Sequence, residues 1–205
     1  MKKNIKWIIC IFSLAVFIIL TCLVLSQKEL FIDNVIYNFI SKLISDNMTN
    51  VVKFITFLGS ASVVIAITIL VLLIVKNKKI GLLLSLNLIC ITIFQYVLKQ
   101  LIGRNRPVGI NIIKESSFSF PSGHSLTALA FYGYIIYLIN KHNFKYKKLY
   151  TILLSILILL IGLSRVYLGV HYITDVLGGF TFSLCYLIIF IHLTKKILNK
   201  KKHQK

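Results

Sequence analysis

Acidic side chains are almost missing from this sequence. Glu29, Asp33, Asp46, Glu115 and Asp175 are the only five in 205 residues, against 24 lysines and arginines. So thin a supply of carboxylates argues against a carboxylate-bound metal site, and no metal or other cofactor is expected. Cysteine is equally uninformative. Cys10, Cys22, Cys90 and Cys185 all lie inside apolar runs, with no CxxC spacing and no ligand set nearby, which implies neither disulfide nor metal. No small-residue cleavage site follows the first apolar run, so the basic N-terminal segment is expected to be a retained helix. Internal repeats are absent, and the lysine-rich tail is the one biased stretch. The net charge of +19 would suit nucleic acid if it lay on a folded soluble face. Instead it sits in short clusters between apolar runs, the mark of membrane topology, so nucleic acid is not expected as a partner.

Apolar residues dominate what remains. The chain is 58% hydrophobic with a mean hydropathy of +0.87, and its length fits a single domain over residues 1–205. A bilayer core about 30 Å thick needs about 20 apolar residues of helix. Six runs meet or approach that length: Trp7–Ser26, Phe54–Val75, Ile80–Leu101, Ser125–Asn140, Tyr150–Leu168 and Ile173–Leu193. The expected fold is therefore all-α, a bundle of six transmembrane helices. Lys2, Lys3 and Lys6 precede the first run. Lys76, Lys78 and Lys79 join the second to the third, Lys141, Lys145, Lys147 and Lys148 join the fourth to the fifth, and a basic tail occupies 195–205. All five acids fall in the other links or at the opposite helix ends. The positive-inside rule then puts both termini in the cytoplasm of a multi-pass cell-membrane protein, with the acid-bearing side outside.

The outer link between the first two runs has a pattern of its own. Phe31, Ile32, Val35, Ile36, Phe39, Ile40, Leu43 and Ile44 recur at helical spacing, with Asp33, Asn34, Asn38, Ser41, Lys42 and Ser45 on the other face. This predicts an amphipathic helix over about 30–46, lying in the outer interface.

Three polar stretches interrupt the apolar runs on that outer side. They are Lys99 to Pro107, Phe120-Pro121-Ser122-Gly123-His124, and Ser164 to Asp175. Charge at the centre of a membrane helix is costly, and the positive-inside rule disfavours cations at these outer helix ends, so convergence of this kind points to a site. Lys99, Arg106 and Arg165 supply charge-assisted donors, and arginine forks match phosphate oxygens. Ser122 and Gly123 precede a helix whose free amides favour an anion. Two histidines on opposite sides of a phosphate can divide the work, one attacking phosphorus and one protonating the departing oxygen. Asp175, four residues after His171, can hold that ring's tautomer and is expected to pull its pKa up, with Lys99, Arg106 and Arg165 opposing that pull in the empty site. His171 is thus the expected nucleophile and His124 the general acid. His192 reads as a packed polar residue, and His142 and His203 lie in basic segments away from the site.

Lys99-x6-Arg106-Pro107, Pro121-Ser122-Gly123-His124 and Ser164-Arg165-x5-His171-x3-Asp175 resemble the three signature motifs of the type 2 phosphatidic acid phosphatase family. That family shares its helical core with vanadium haloperoxidases. The resemblance covers about residues 54–193 and implies a phosphatase/haloperoxidase-like core. It implies a metal-independent lipid phosphatase with a phosphohistidine intermediate on His171, acting on a phosphatidic acid, phosphatidylglycerophosphate or undecaprenyl diphosphate type of substrate. By the match, Lys99, Arg106, Ser122, Gly123, His124 and Arg165 bind or protonate the phosphoryl group, while the role of Arg104 stays open. A phosphotransferase using the same site is the near alternative. A non-catalytic lipid-binding or transport protein is the distant one, and a transporter would carry its polar groups at the midplane.

Overall fold

A computed structural model describes residues 2–26, 30–109 and 111–199. Among these residues there are eight α-helices and no strand. They are α1 (Lys2–Ser26), α2 (Phe31–Ser41), α3 (Asp46–Leu58), α4 (Ala61–Ile74), α5 (Lys78–Ile102), α6 (Gly123–Lys141), α7 (Lys147–Tyr167) and α8 (Ile173–Asn199). α6 is the centre of the bundle and packs on α5, α7 and α8. α1 lies along α8, α4 along α5 and α3 along α7, while α2 crosses α7 and α8.

The surface is inverted relative to a water-soluble protein. Leu73, Ile74 and Leu101 stand outside, while Asn87, Arg165, Asp175 and Ser183 are buried. In a bilayer the solvent is itself apolar, so helices gain little by hiding leucine. They associate instead through close packing and satisfied polar groups. Gly179 shows how tightly: a Cβ there would lie 2.9 Å from the Ser122 carbonyl oxygen and 3.1 Å from the Leu126 nitrogen, both backbone. With no Cβ, α8 can approach α6 closely enough for the Ser183 hydroxyl to donate to the Leu126 carbonyl at 2.6 Å.

Several expectations need correction. The run from Phe54 to Val75 is not one helix. It breaks at Gly59 and Ser60, and α3 and α4 meet at a 46° bend. A Cβ on Gly59 would meet Ile161 at 2.6 Å and His124 at 3.3 Å, so the break occurs where the chain must pass close to α7 and α6. The amphipathic segment is shorter than 30–46 because α2 ends at Ser41, and Asp46 already opens α3, capped by Ser45. α8 runs past Leu193 to Asn199, whereas most of the basic tail expected over 195–205 lies outside the described residues. By length and composition, four helices can cross a membrane: α1, α5, α7 and α8. The bent α3–α4 pair makes a fifth if it is one span. Six spans are not reached on that criterion. α6 falls short because His124, Ser125, Thr127, three tyrosines and Asn140 dilute its apolar surface. Surrounded by protein, α6 has less need of a lipid-facing side.

Candidate active site

The three motif stretches meet at the end of the bundle opposite the short α4–α5 and α6–α7 links. α5 ends there because Gly103 adopts φ 63°, a left-handed cap that glycine alone takes without strain, and its N–H bonds the Lys99 carbonyl at 3.0 Å. Lys99, buried in the last turn of α5, donates from Nζ to the Phe118 carbonyl. Past the cap, Arg106 donates from Nε to the Ser117 carbonyl at 2.6 Å, from Nη1 to the Val170 carbonyl at 2.7 Å, and from Nη2 to Ser117 Oγ at 3.1 Å and the Phe118 carbonyl at 3.5 Å.

The same Nη1 lies 3.2 Å from His171 Nε2. A guanidinium can only donate, so this contact assigns the lone pair to Nε2 and the proton to Nδ1. Nδ1 then points at Asp175 Oδ2, 3.2 Å away, and at Ser119 Oγ, 3.3 Å away. The Ser119 hydroxyl and the Tyr172 amide, the latter at 2.9 Å, also donate to that Oδ2. Asp175 Oδ1 accepts from Arg104 Nη1 at 2.6 Å. His171 sits in the turn between α7 and α8 and not on a helix, so the i,i+4 contact with Asp175 is made by a turn feeding the first turn of α8.

Burial pushes the His171 imidazole down to about 4. The hydrogen bond and charge of Asp175 pull upward, and the Arg106 and Lys99 cations add to the depression. The expected upward pull of Asp175 and the expected opposition of Lys99 and Arg106 are both present, and burial decides the sign, because an enclosed ring loses more by charging than one carboxylate returns. Burial lowers Arg106 as well, against the pull of Glu115 and Asp175. Arg104 is raised: burial opposes its charge, but Asp175 and Asp33 more than offset it.

On α7, Arg165 is buried; Nη1 donates to Thr56 Oγ1 at 2.8 Å and Nη2 to Glu115 Oε1 at 2.5 Å. Its Nε is buried with no hydrogen-bond partner. The other oxygen of Glu115 is 3.9 Å from Arg106, so one carboxylate bridges two of the expected phosphate-binding arginines. Ser122 N donates to the Asp175 carbonyl at 3.0 Å, tying the start of α6 to the start of α8. Ser122 does not cap its own helix with its side chain, which leaves the first amides of α6 for another acceptor. Gly123 lies close under the Gln95 side chain, where a Cβ would come within 2.6 Å of Nε2. His124 and Gly123 line a cavity of about 460 Å³ with Gly59, Val64, Leu88 and Ile93, running between α4 and α5.

A scan of family models matches the PAP2 superfamily over residues 78–198, which covers all three motifs. The chain belongs to the PAP2 superfamily. Phosphatidylglycerophosphatase B of Bacillus subtilis is 37% identical over 156 residues, 73% of this chain and 77% of that protein. The crystal structure of a transmembrane PAP2 type phosphatidylglycerolphosphate phosphatase from Bacillus subtilis superposes with a TM-score of 0.85 at 33% identity. The match covers 95% of this chain and 98% of that one. An undecaprenyl-diphosphatase of Sulfolobus acidocaldarius is 28% identical over 140 residues, 64% of each chain.

In this PAP2 chain the fold thus gathers Lys99, Arg106, Ser122, Gly123, His124, Arg165, His171 and Asp175 at one end. Sequence reasoning missed Asp33, Thr56, Glu115 and Ser119, and it left Arg104 open. One signal was available: in a chain with five acids, an aspartate on a lipid-side helix is an expensive residue that needs a reason.

Proposed function

We propose that this chain is an integral membrane lipid phosphatase that works without a metal, through a phosphohistidine on His171. What supports the proposal is a cluster of cations, one of them with an orphaned donor, beside an apolar cavity that His124 lines. Arg106, Arg165, Lys99 and the α6 amides hold the phosphoryl oxygens, and the orphaned Arg165 Nε gains an acceptor. His171 Nε2 attacks phosphorus while the bond to the lipid oxygen breaks, and His124 gives its proton to that oxygen. A water then loses its proton to His124 and attacks phosphorus. The P–N bond breaks, releasing phosphate and neutral His171.

The acyl or prenyl tail lies in the cavity beside His124, which places the leaving oxygen next to its proton donor. Cations replace a metal here. Asp33, Asp175 and Glu115 are all engaged by arginine, and among the described residues no three His, Cys, Asp or Glu side chains converge as ligands. Substrates are phosphatidic acid, phosphatidylglycerophosphate or a prenyl diphosphate. α6 and the bent α3–α4 pair both count as spans, giving six, and the positive-inside rule turns the site outward.

Phosphate release from a panel of these lipids in detergent, with chelator present, tests the chemistry. No release from any of them, or release that depends on added magnesium, would refute it. A cysteine at Ser116 in a background lacking native cysteines should react with an impermeant reagent in intact cells, and one at Asn77 should not. The opposite pattern would reverse the orientation.

A further inference from the structure

We infer that Arg104 and Asp33 are positioning residues for the nucleophile: Asp33, Arg104 and Asp175 form one buried charge relay that sets the His171 tautomer from a helix outside the three motifs. The inference rests on the phosphatase reading of the His171 site. All three side chains are nearly sealed, with Asp33 at 1%, Arg104 at 5% and Asp175 at 0% exposure. Arg104 divides its terminal nitrogens between the two carboxylates, Nη1 to Asp175 Oδ1 at 2.6 Å and Nη2 to Asp33 Oδ2 at 2.7 Å. Its Nη1 also donates to Thr174 Oγ1 at 2.8 Å, and its guanidinium carbon stacks 4.0 Å from the centre of the Tyr172 ring. Committed in this way, Arg104 has no fork left for a phosphate, unlike Arg106 and Arg165.

Asp33 does two things from α2. It pairs with Arg104, and its Oδ1 accepts from Thr174 N at 3.0 Å and Thr174 Oγ1 at 2.8 Å. Thr174 N is one of the first amides of α8, so a residue 141 positions earlier caps the helix that carries Asp175. The charge pattern explains why both are needed. Without Arg104, Asp33 and Asp175 are two buried carboxylates on either side of one threonine, and such a pair holds on to a proton. A protonated Asp175 no longer accepts the Nδ1 proton of His171, so the Arg106 contact alone favours the lone pair on Nε2 and the tautomer that attacks phosphorus becomes less populated. With Arg104 present the cluster carries one net negative charge beside a neutral His171, which balances the cation formed on attack. The other charges facing His171 are Arg106 from the α5–α6 link, Lys99 from α5 and, when protonated, His124 from α6.

The test uses the full-length protein in detergent with dioctanoyl phosphatidic acid as substrate and vanadate as the anion probe. Arg104→Gln should lower kcat roughly 10- to 100-fold, the size of loss seen when the outer partner of a metal-bound histidine is removed, and Asp33→Asn should cost less. KM and the vanadate inhibition constant should stay within about twofold, since no phosphate contact is lost. Arg104→Gln should add little to Asp175→Asn, because the two act as a unit. Arg104→Lys, which keeps a cation between the carboxylates, should recover part of the rate and serves if the glutamine variant fails to fold. Nitrogen-15 spectra of labelled histidine should show His171 losing its preference for Nδ1–H in Arg104→Gln. A rise in KM and in the vanadate constant at unchanged kcat would make Arg104 a phosphate ligand and overturn the relay. Unchanged kcat and tautomer would overturn it too. If the wild type releases no phosphate from any lipid, the phosphatase reading falls, and the His171 tautomer still decides the relay.

Discussion

At the motif end of the bundle, Lys99, Arg104, Arg106 and Arg165 interleave with Asp33, Glu115 and Asp175, and of their buried side-chain atoms only Arg165 Nε lacks a partner. The other half of the same helices is built from Leu84, Ile91, Phe131, Tyr134, Tyr186 and Phe190. The polar atoms there are sparse, and two of them, Asn87 Oδ1 and Tyr134 OH, are buried without a partner. The difference teaches what each half is for. A loose neutral dipole costs a packed apolar core about 1–3 kcal/mol and is tolerated, whereas an unpaired buried charge costs far more. Charges therefore persist only where every one of them is answered. The unpartnered Arg165 Nε belongs to the cluster proposed to bind phosphate, and Glu115 contacts both Arg165 and Arg106 there.

The sharpest way to break the contrast is at His171. His171→Ala should abolish turnover, a loss of roughly 10⁶-fold for a nucleophile, while Asp175→Asn should leave a remainder after about 10⁴-fold. Comparable rates for wild type and His171→Ala on one purified lipid would end the assignment.

The pH profile sharpens the same point with a smaller effect. With His171 held at about 4, kcat/KM should not fall between pH 7 and 5 through this group, and should drop as pH passes down through about 4, where the ring charges and loses its lone pair. The folded state should also lose stability as pH falls from about 6.5 towards 4, because there the unfolded chain takes up a proton that the folded one refuses. An acid limb centred at an ordinary histidine value would refute the enclosure of His171.

Glu115 offers a gain in place of a loss. Glu115→Gln removes the charge that competes with phosphate for Arg165 and Arg106, and vanadate should then inhibit about fivefold more tightly, near 1 kcal/mol. Weaker inhibition would make Glu115 a support for the arginines and not a competitor. Least of all should happen in the other half. Asn87 spends one amide hydrogen on the Ala130 carbonyl at 3.2 Å and leaves its oxygen unused. Asn87→Leu should therefore change thermal stability by about 1 kcal/mol or less and leave kcat intact. A loss of activity there would mean that the two halves are coupled.

The amino-acid sequence by itself determined that this chain is a helical membrane protein, because apolar runs and lysine clusters report local transfer free energies that need no partner. It also determined the three motifs, and with them the PAP2 superfamily, since their spacing is a property of the chain alone. Only the tertiary structure decided which way α2 faces. Periodicity placed Asp33 with Asn34 and Asn38 on the polar side and could not say what that side meets. In the fold Asp33 turns inward to Arg104 and Thr174, while Phe31 and Phe39 stay outside. The break at Gly59, the bridge from Glu115 to Arg165 and the depression of His171 were likewise decided by packing. Each depends on atoms far apart in the chain, and no local pattern encodes the burial that sets the sign of a pKa shift.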